Sequence, residues 1–186
     1  MVRRWLVTAL APLCGCLPFA VPPTTASVGA VHGTATSALA GVHTDVGFSP
    51  LQLSPDQHQR VWDATVSGSY EHIGNRDVWG LAAAGGPVLY PWGADPDDTI
   101  TRVLPQVVGR WTTDGFGVDA RVVIERADFT NGKVEHSDLG GYARGEFAIG
   151  CYLEAGRQFD GVDEWTATIG LVLRLPAAVG LFVPQF

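Results

Sequence analysis

Apolar and polar residues alternate along four stretches of the chain. These stretches are 62–70, 117–125, 142–155 and 165–175. A period of two places successive side chains on opposite faces of a β-strand, so each stretch predicts a strand with one apolar and one polar face. The pattern therefore predicts a mainly antiparallel β fold with little helix.

The two stretches nearest the C-terminal end are unusually long for strands, which typically have five or six residues. We expect 142–155 and 165–175 to pair antiparallel across Gly156–Glu164 as a long hairpin. One face of this hairpin carries large apolar residues, namely Phe147, Ile149, Leu153, Ile169, Leu171 and Leu173. Such a face fits either the core of a β-sandwich or the lipid-facing side of a membrane barrel.

Local signals add three expectations outside these strands. Ser54 followed by Pro55 resembles a helix start, and a short helix is predicted over residues 54–62. Asn131 and Gly132 form a strong hairpin signal, because both residues tolerate the positive φ of a type I′ turn. Pro105 lacks a backbone donor and predicts a sheet edge or a bulge.

The first 40 residues resemble a secretory signal peptide. Arg3 and Arg4 precede a short apolar run that Pro12 and Pro18 interrupt, and small residues follow at possible cleavage positions. Cleavage is expected after Ala26, Ala30 or Ala40, which leaves 41–186 as a single β-rich domain. Two alternatives remain open: a short membrane anchor, and a lipobox-like sequence that would lipidate Cys16.

Composition excludes two broad classes of protein. Apolar residues make up 46% of the chain, which is enough for a core and argues against disorder. The net charge is −7, and residues 1–40 contain two Arg and no acid, so the rest of the chain is still more acidic. This balance argues against a nucleic-acid partner, which would need a basic face.

Candidate chemistry is sparse, and no catalytic, cofactor-binding or metal-binding residue is assigned. Removal of a signal peptide would leave Cys151 as a lone cysteine, expected to be a buried hydrophobe on the apolar strand face. The acidic turn at 95–98 lacks the calcium-loop pattern, and 135–138 is interpreted as a polar hairpin arm. Three His and two loop acids are interpreted as surface residues, namely His43, His58, His72, Asp163 and Glu164. We therefore expect neither an enzyme nor a cofactor.

Two short patterns resemble the MspA-type porins of actinobacteria with a mycolic-acid outer membrane. The first pattern consists of Trp62, Asp63, Gly68, Asn75, Arg76, Trp79 and Gly93-Ala94-Asp95. The second pattern, Gly145–Leu153, resembles a Gly- and Cys-bearing strand of divergent members of this family. This resemblance implies a rim β-sandwich, a long hairpin donated to a shared barrel, and a homo-oligomer. The chain ends where family members continue, so no constriction residue is carried over.

The fold predicted from these observations is all-β: an antiparallel β-sandwich with a long β-hairpin, which an oligomeric β-barrel could include. The expected function is that of an exported outer-membrane porin-like protein that passes small hydrophilic solutes and contacts outer-membrane lipids. The alternative is a secreted, non-enzymatic β-sandwich with a binding or structural role in the cell envelope. Alternation alone does not separate these two hypotheses, because both produce the same strand pattern.

Overall fold

The structure is a computed structural model that describes residues 17–34, 40–53, 60–92, 99–136, 139–159 and 164–182. These residues form ten strands and a short 3-10 helix at Pro50–Leu53. The strands are β1 Leu17–Val21, β2 Thr24–Gly33, β3 Ala40–Phe48, β4 Trp62–Ile73, β5 Arg76–Pro87, β6 Ile100–Thr112, β7 Gly115–His136, β8 Leu139–Phe159, β9 Glu164–Leu175 and β10 Ala177–Phe182. Within these ranges, no helix is long and apolar enough to cross a membrane.

Strands β2 to β9 form a closed, eight-stranded antiparallel barrel. Each pairs with the next along the chain, and β9 also pairs with β2, from Thr24 opposite Leu175 to Gly33 opposite Thr166. Closure leaves no free edge in the wall of the barrel. The all-β antiparallel prediction is confirmed, but the sheet is a single closed layer rather than the two layers of a sandwich.

The long hairpin of the structure is β7–β8, which extends beyond the barrel at one end. Residues 148–158 of β8 pair with β9, whereas 139–144 pair with β10, which in turn pairs with β1. The change of partner falls at Gly145, whose φ of 132° favours glycine. A four-stranded extension, in the order β1-β10-β8-β7, therefore continues from the barrel wall. We call this end of the barrel the extension end, and the other the short-turn end.

The predicted pairing of 142–155 with 165–175 is confirmed over most of its length. Ala148 lies opposite Arg174, and the ladder continues to Gln158 opposite Glu164. The hairpin predicted at Asn131 is wrong, because β7 runs through this residue and pairs it with Arg144. The ladder with β8 continues on both sides, so cross-strand pairing overrides the local turn preference.

Strand β5 extends to Pro87, although the Gly and Pro residues at 85–91 favour turns. It starts after a two-residue turn in which Gly74 has a φ of 65°, as the turn residues predict. Small residues at 82–85 then pair with both β4 and β6, and Gly86 pairs with β4. Gly86 approaches Pro105 so closely that an added Cβ would lie 1.9 Å from the Pro105 carbonyl oxygen. These glycines and alanines are therefore strand residues that permit close approach, rather than loop residues.

Pro105 lies inside β6 at the point where the ladder with β5 ends. That ladder stops at Gly85 opposite Val107. Val103 exchanges both backbone hydrogen bonds with Leu89, and Pro105, two residues further on, points its nitrogen towards the same side. The predicted sheet edge is wrong, because β6 pairs with β5 on one side and with β7 on the other. The missing donor of Pro105 instead coincides with a break in the ladder to β5.

The sheet includes residues that the sequence analysis left outside the fold. Ala26 and Ala30 lie within β2, and Ala40 is the first residue of β3. Cleavage after Ala40 would delete β2 and open the barrel between β3 and β9. Strands β1 and β2 thus both lie within residues 1–40, and the signal peptide and its cleavage position stay predictions. Of the predicted helix, residues 54–59 lie outside the described residues, and Trp62 begins β4.

The polarity of the barrel is inverted relative to a soluble protein. Large apolar side chains cover the outer wall, and Ile169 and Leu171 are 61% and 60% exposed. Charged side chains fill the interior, where Arg102 is 0% exposed. The two predicted strand faces are thus confirmed, and the apolar one faces outwards. Cys151 lies on that face and is exposed, so the prediction that it is buried is wrong.

Candidate functional site

The barrel interior contains two clusters of oppositely charged side chains, one towards each end. The lower cluster, nearer the extension end, consists of Arg60, Asp63, Arg102, Glu125, Glu146 and Arg174. The upper cluster, nearer the short-turn end, consists of His43, Asp45, Arg110, Asp119, Arg121 and Glu154. Most of these side chains occupy the polar positions of strands in which apolar and polar residues alternate. Closure of the barrel turns these positions towards a shared interior.

Arg102 lies at the centre of the lower cluster. Its Nη1 and Nη2 donate to the two carboxylate oxygens of Glu146 at 2.7 and 2.5 Å, and its Nε donates to Glu125 at 2.7 Å. The paired contact with Glu146 is the bidentate geometry that makes Arg–carboxylate interactions strong and specific. All three side chains are buried, so each charge depends on its partners for compensation.

Arg174 extends the lower cluster across the barrel. Its Nε donates to Glu125 at 2.9 Å and its Nη2 to Asp63 at 2.8 Å. Asp63 also accepts a hydrogen bond from Gln106 at 3.0 Å. Three arginines face three carboxylates, so the cluster is balanced in charge. The link from β9 to β4 ties together strands that are not neighbours in the wall.

Arg110 has the corresponding role in the upper cluster. It donates to Asp119 at 2.9 Å, to Asp45 at 3.1 Å and to Glu154 at 2.5 Å. Arg121 donates to Asp45 at 2.7 Å and also to Glu154. Asp45 is on β3 and Arg121 on β7, four strands apart in either direction around the barrel. This contact therefore crosses the full width of the lumen.

The space between the clusters is also filled. Val123, Tyr152 and Val172 pack together there, and Tyr152 fits because Gly29 and Gly170 leave room for its ring. A Cβ on Gly29 would lie 2.6 Å from the Tyr152 hydroxyl. Two internal cavities of about 20 Å³ each lie among the charged residues, which is the size needed for a single water molecule. Side chains therefore close the described part of the lumen.

The structure corrects two assignments of surface residues. His43 is 1% exposed and lies 3.2 Å from both Asp45 and Glu71. Glu164 is also buried and forms an ion pair with Arg76. His72 does lie at the surface, where its Nδ1 is 2.7 Å from Asp77. His58, the acidic turn at 95–98, Ser137, Asp138 and Asp163 lie outside the described residues.

The acidic side chains of the charged clusters are paired with arginines. Among the described residues, no three His, Cys, Asp or Glu side chains converge on a point that could hold a metal ion. Each buried carboxylate of the lower cluster instead contacts a guanidinium.

Outside the strands, Tyr90 donates a hydrogen bond to the Arg60 carbonyl at 2.9 Å, and burial raises the pKa of the Tyr90 hydroxyl. The ion pairs of the two charged clusters join strands on opposite sides of the barrel.

Aromatic residues form a belt around each end of the outer wall. The belt at the short-turn end contains Trp79, Trp111, Phe116, Phe159 and Trp165. The belt at the extension end contains Phe48, Trp62, Trp92 and Phe147. The band between the belts carries aliphatic residues such as Val28, Ile124 and Leu171, all of them exposed. Two aromatic girdles around an apolar band are typical of membrane-spanning barrels.

No family model and no curated protein matches this chain. The resemblance to MspA-type porins therefore stays a prediction. The architecture that it implies, with a rim sandwich and a hairpin given to a shared barrel, differs from the described structure. Here the strands of a single chain close their own barrel.

The sequence contains a signal for the charged clusters. Acidic and basic residues occupy the polar faces of the predicted strands, for example Asp119, Arg121 and Glu125 on β7, and Glu146 and Glu154 on β8. Charges of both signs on strands whose other face is strongly apolar fit a barrel with a polar interior. Period two alone does not show which face points inwards.

Proposed function

We propose that the protein is an exported, integral β-barrel of an outer envelope membrane, in contact with outer-membrane lipids. The observation that carries this proposal is the inverted polarity of the barrel, with an apolar, aromatic-belted outer wall around a charged interior. In lipid, a closed barrel satisfies all backbone hydrogen bonds between strands and presents apolar side chains to the hydrocarbon.

The dimensions of the outer wall agree with this placement. On β8, Phe147 belongs to one belt and Phe159 to the other, about 12 residues apart. At about 3.3 Å per residue and a tilt of about 40°, the belts lie about 30 Å apart along the barrel axis, close to the apolar band of outer-membrane barrels. Each strand is therefore long enough to cross the hydrocarbon layer.

The alternative of a secreted, non-enzymatic binding or structural protein fits the wall less well. A water-soluble protein rarely exposes a contiguous apolar patch larger than a few hundred Å². Here exposed apolar residues recur on neighbouring strands, as with Ile124, Ile149 and Leu171. A soluble barrel would also place such residues inside, where this one has arginines and carboxylates.

Cys151 provides a native reporter for the membrane proposal. It is exposed in the middle of the apolar band, directly opposite Leu171 in the ladder. With Cys14 and Cys16 replaced by Ser, a nitroxide attached to Cys151 in reconstituted vesicles should collide with oxygen, which partitions into lipid. It should be shielded from a water-soluble nickel reagent, as electron paramagnetic resonance can measure.

A matched control uses the extramembrane side of the same protein. A label at Asn75, exposed in the short turn between β4 and β5, should show the opposite accessibility. Equal access of the nickel reagent to both labels in a barrel that remains folded would contradict membrane insertion.

Diffusion of small hydrophilic solutes is the second candidate function, and its support is the polar lining of the barrel interior. Both clusters bridge the lumen in this structure, so passage of a solute would require the ion pairs to separate. Formation of the wall needs no second chain, and the homo-oligomer remains a prediction.

The charged clusters that bridge the lumen should determine whether the barrel conducts ions. In planar bilayers we expect the wild-type barrel to show no sustained single-channel current. Arg110→Ala should produce one, because Arg110 joins Asp45, Asp119 and Glu154 across the lumen. Arg126→Ala, on the exposed outer wall, serves as the control and should remain silent. Equal currents from all three proteins would contradict closure by the upper cluster.

A further inference from the structure

A shallow apolar groove crosses the outer wall next to the belt at the short-turn end. Its floor is a row of exposed alanines on three adjacent strands, with Ala120 opposite Ala155 and Ala155 opposite Ala167. The groove has a volume of about 650 Å³, within the range of small-molecule sites in proteins. It is distinct from the charged interior, because these alanines point away from the lumen.

Larger side chains border the alanine row on both sides. Towards the middle of the barrel the neighbouring row contains Leu153 and Ile169, which face each other in the ladder. Towards the short-turn end the neighbouring row contains Arg157 opposite Trp165. On β7 the two bordering rows lie four residues apart, at Val118 and Val122, or about 13 Å along the strand. This spacing is close to the diameter of an α-helix, about 10–12 Å, before the bordering side chains are counted, and it is wide enough for an extended hydrocarbon chain.

A cation lies at the membrane-surface end of this groove. The Arg157 guanidinium carbon is 5.4 Å from the ring centre of Phe159 and 6.0 Å from that of Trp165. Both aromatic residues belong to the belt, which marks the level of lipid headgroups. The chain has a net charge of −7, so the overall charge of the protein does not attract anions, and any attraction of an anion to this part of the wall is local.

We propose that this groove is a binding site for one lipid with an anionic headgroup. An acyl chain of the lipid lies over Ala120, Ala155 and Ala167, and its phosphate contacts Arg157. The occupant is a lipid because the groove opens within the apolar band, at a depth where acyl chains surround the wall. The anionic headgroup follows from the charge of Arg157, and the site rests on the membrane insertion proposed above.

The test compares two lipids with identical acyl chains, phosphatidylglycerol and phosphatidylcholine, retained by the detergent-purified full chain in native mass spectrometry. We expect the wild-type protein to retain phosphatidylglycerol about fivefold better, as one basic residue near the membrane surface predicts. Arg157→Gln should abolish this preference. Ala155→Phe should reduce retention of both lipids, because its ring fills the groove.

Two matched variants control for charge and for bulk. Arg126→Gln removes an outer-wall arginine on β7 that does not line the groove, and Val66→Phe adds a ring on the distant strand β4; neither should change retention. Equal retention of both lipids by the wild-type protein, or an Arg157→Gln variant that keeps the preference, would overturn the lipid site. The Cys151 label then separates the two proposals, because lipid accessibility of that label supports membrane insertion even where the lipid site fails.

Discussion

Arg102→Leu should destabilise the barrel by about 3–5 kcal/mol, the cost typical of removing one partner from a buried ion pair. Arg102 is the shared donor to Glu125 and Glu146, and its loss leaves each carboxylate with weaker compensation in a site that water does not reach. The free energy of unfolding can be measured by urea titration of the protein in lipid vesicles, with tryptophan fluorescence as the signal.

Two further variants show whether the loss comes from the ion pairs. Arg102→Lys keeps the charge but not the bidentate geometry, so its stability should fall between those of the wild type and Arg102→Leu. Arg126→Leu, on the outer wall one row from Phe147 of the extension-end belt, should change stability by no more than about 1 kcal/mol, the range for an arginine near the membrane interface. If Arg102→Leu unfolds at the wild-type urea concentration, the lower cluster does not stabilise the barrel.

Leu171→Arg should cost about 2–4 kcal/mol in lipid, the range for an arginine on the lipid face near the bilayer midplane. Leu171 is exposed on the outer wall between the two aromatic belts. A charge at this depth has no water or counter-ion to compensate it. The same titration in vesicles gives the size of the effect, and the yield of folded, vesicle-bound protein reports on insertion.

Depth dependence distinguishes this membrane effect from a simple surface substitution. Val118→Arg places the same charge beside Arg157 and Trp165 in the row next to the short-turn belt, where the cost should fall to about 0–1 kcal/mol. On the surface of a water-soluble barrel, both substitutions would have small and similar effects. Equal stability of Leu171→Arg and Val118→Arg would therefore argue against a lipid-facing wall.

The strands could be predicted from sequence wherever the alternation of apolar and polar residues continues over many positions. The alternation from Val118 to Ile124, and the pairing of 148–155 with 167–174, follow directly from period two, whereas 156–158 and Glu164 extend this ladder into the predicted loop. The assignment of inside and outside could not follow, because period two is unchanged when the two faces are exchanged. Only closure, which depends on the number of strands and on the pairing of β2 with β9, makes the polar face the interior.

The misplaced residues have separate physical explanations. Strand β2 consists mostly of Ala, Val, Gly and Ser, which also suit the end of a signal peptide, so its alternation was not given weight. In the sequence His43 and Glu164 stand as single polar residues, because Glu71 and Arg76, with which they pair, come from other parts of the chain. The charged clusters are tertiary features, since every ion pair of the upper cluster apart from His43–Asp45 joins residues on different strands.

The seam between β2 and β9 determines when the barrel can be completed. Ala30 and Ile169 face each other there, although about 140 residues separate them in the chain, so the contact that closes the barrel joins its first and last strands. Contacts between residues so far apart in sequence make folding slow. Until the seam forms, β2 and the last strand added to the other end of the sheet each have an unpaired edge. A chain that stopped before β9 would keep those edges permanently, and we expect such a product to aggregate rather than to assemble as a smaller barrel.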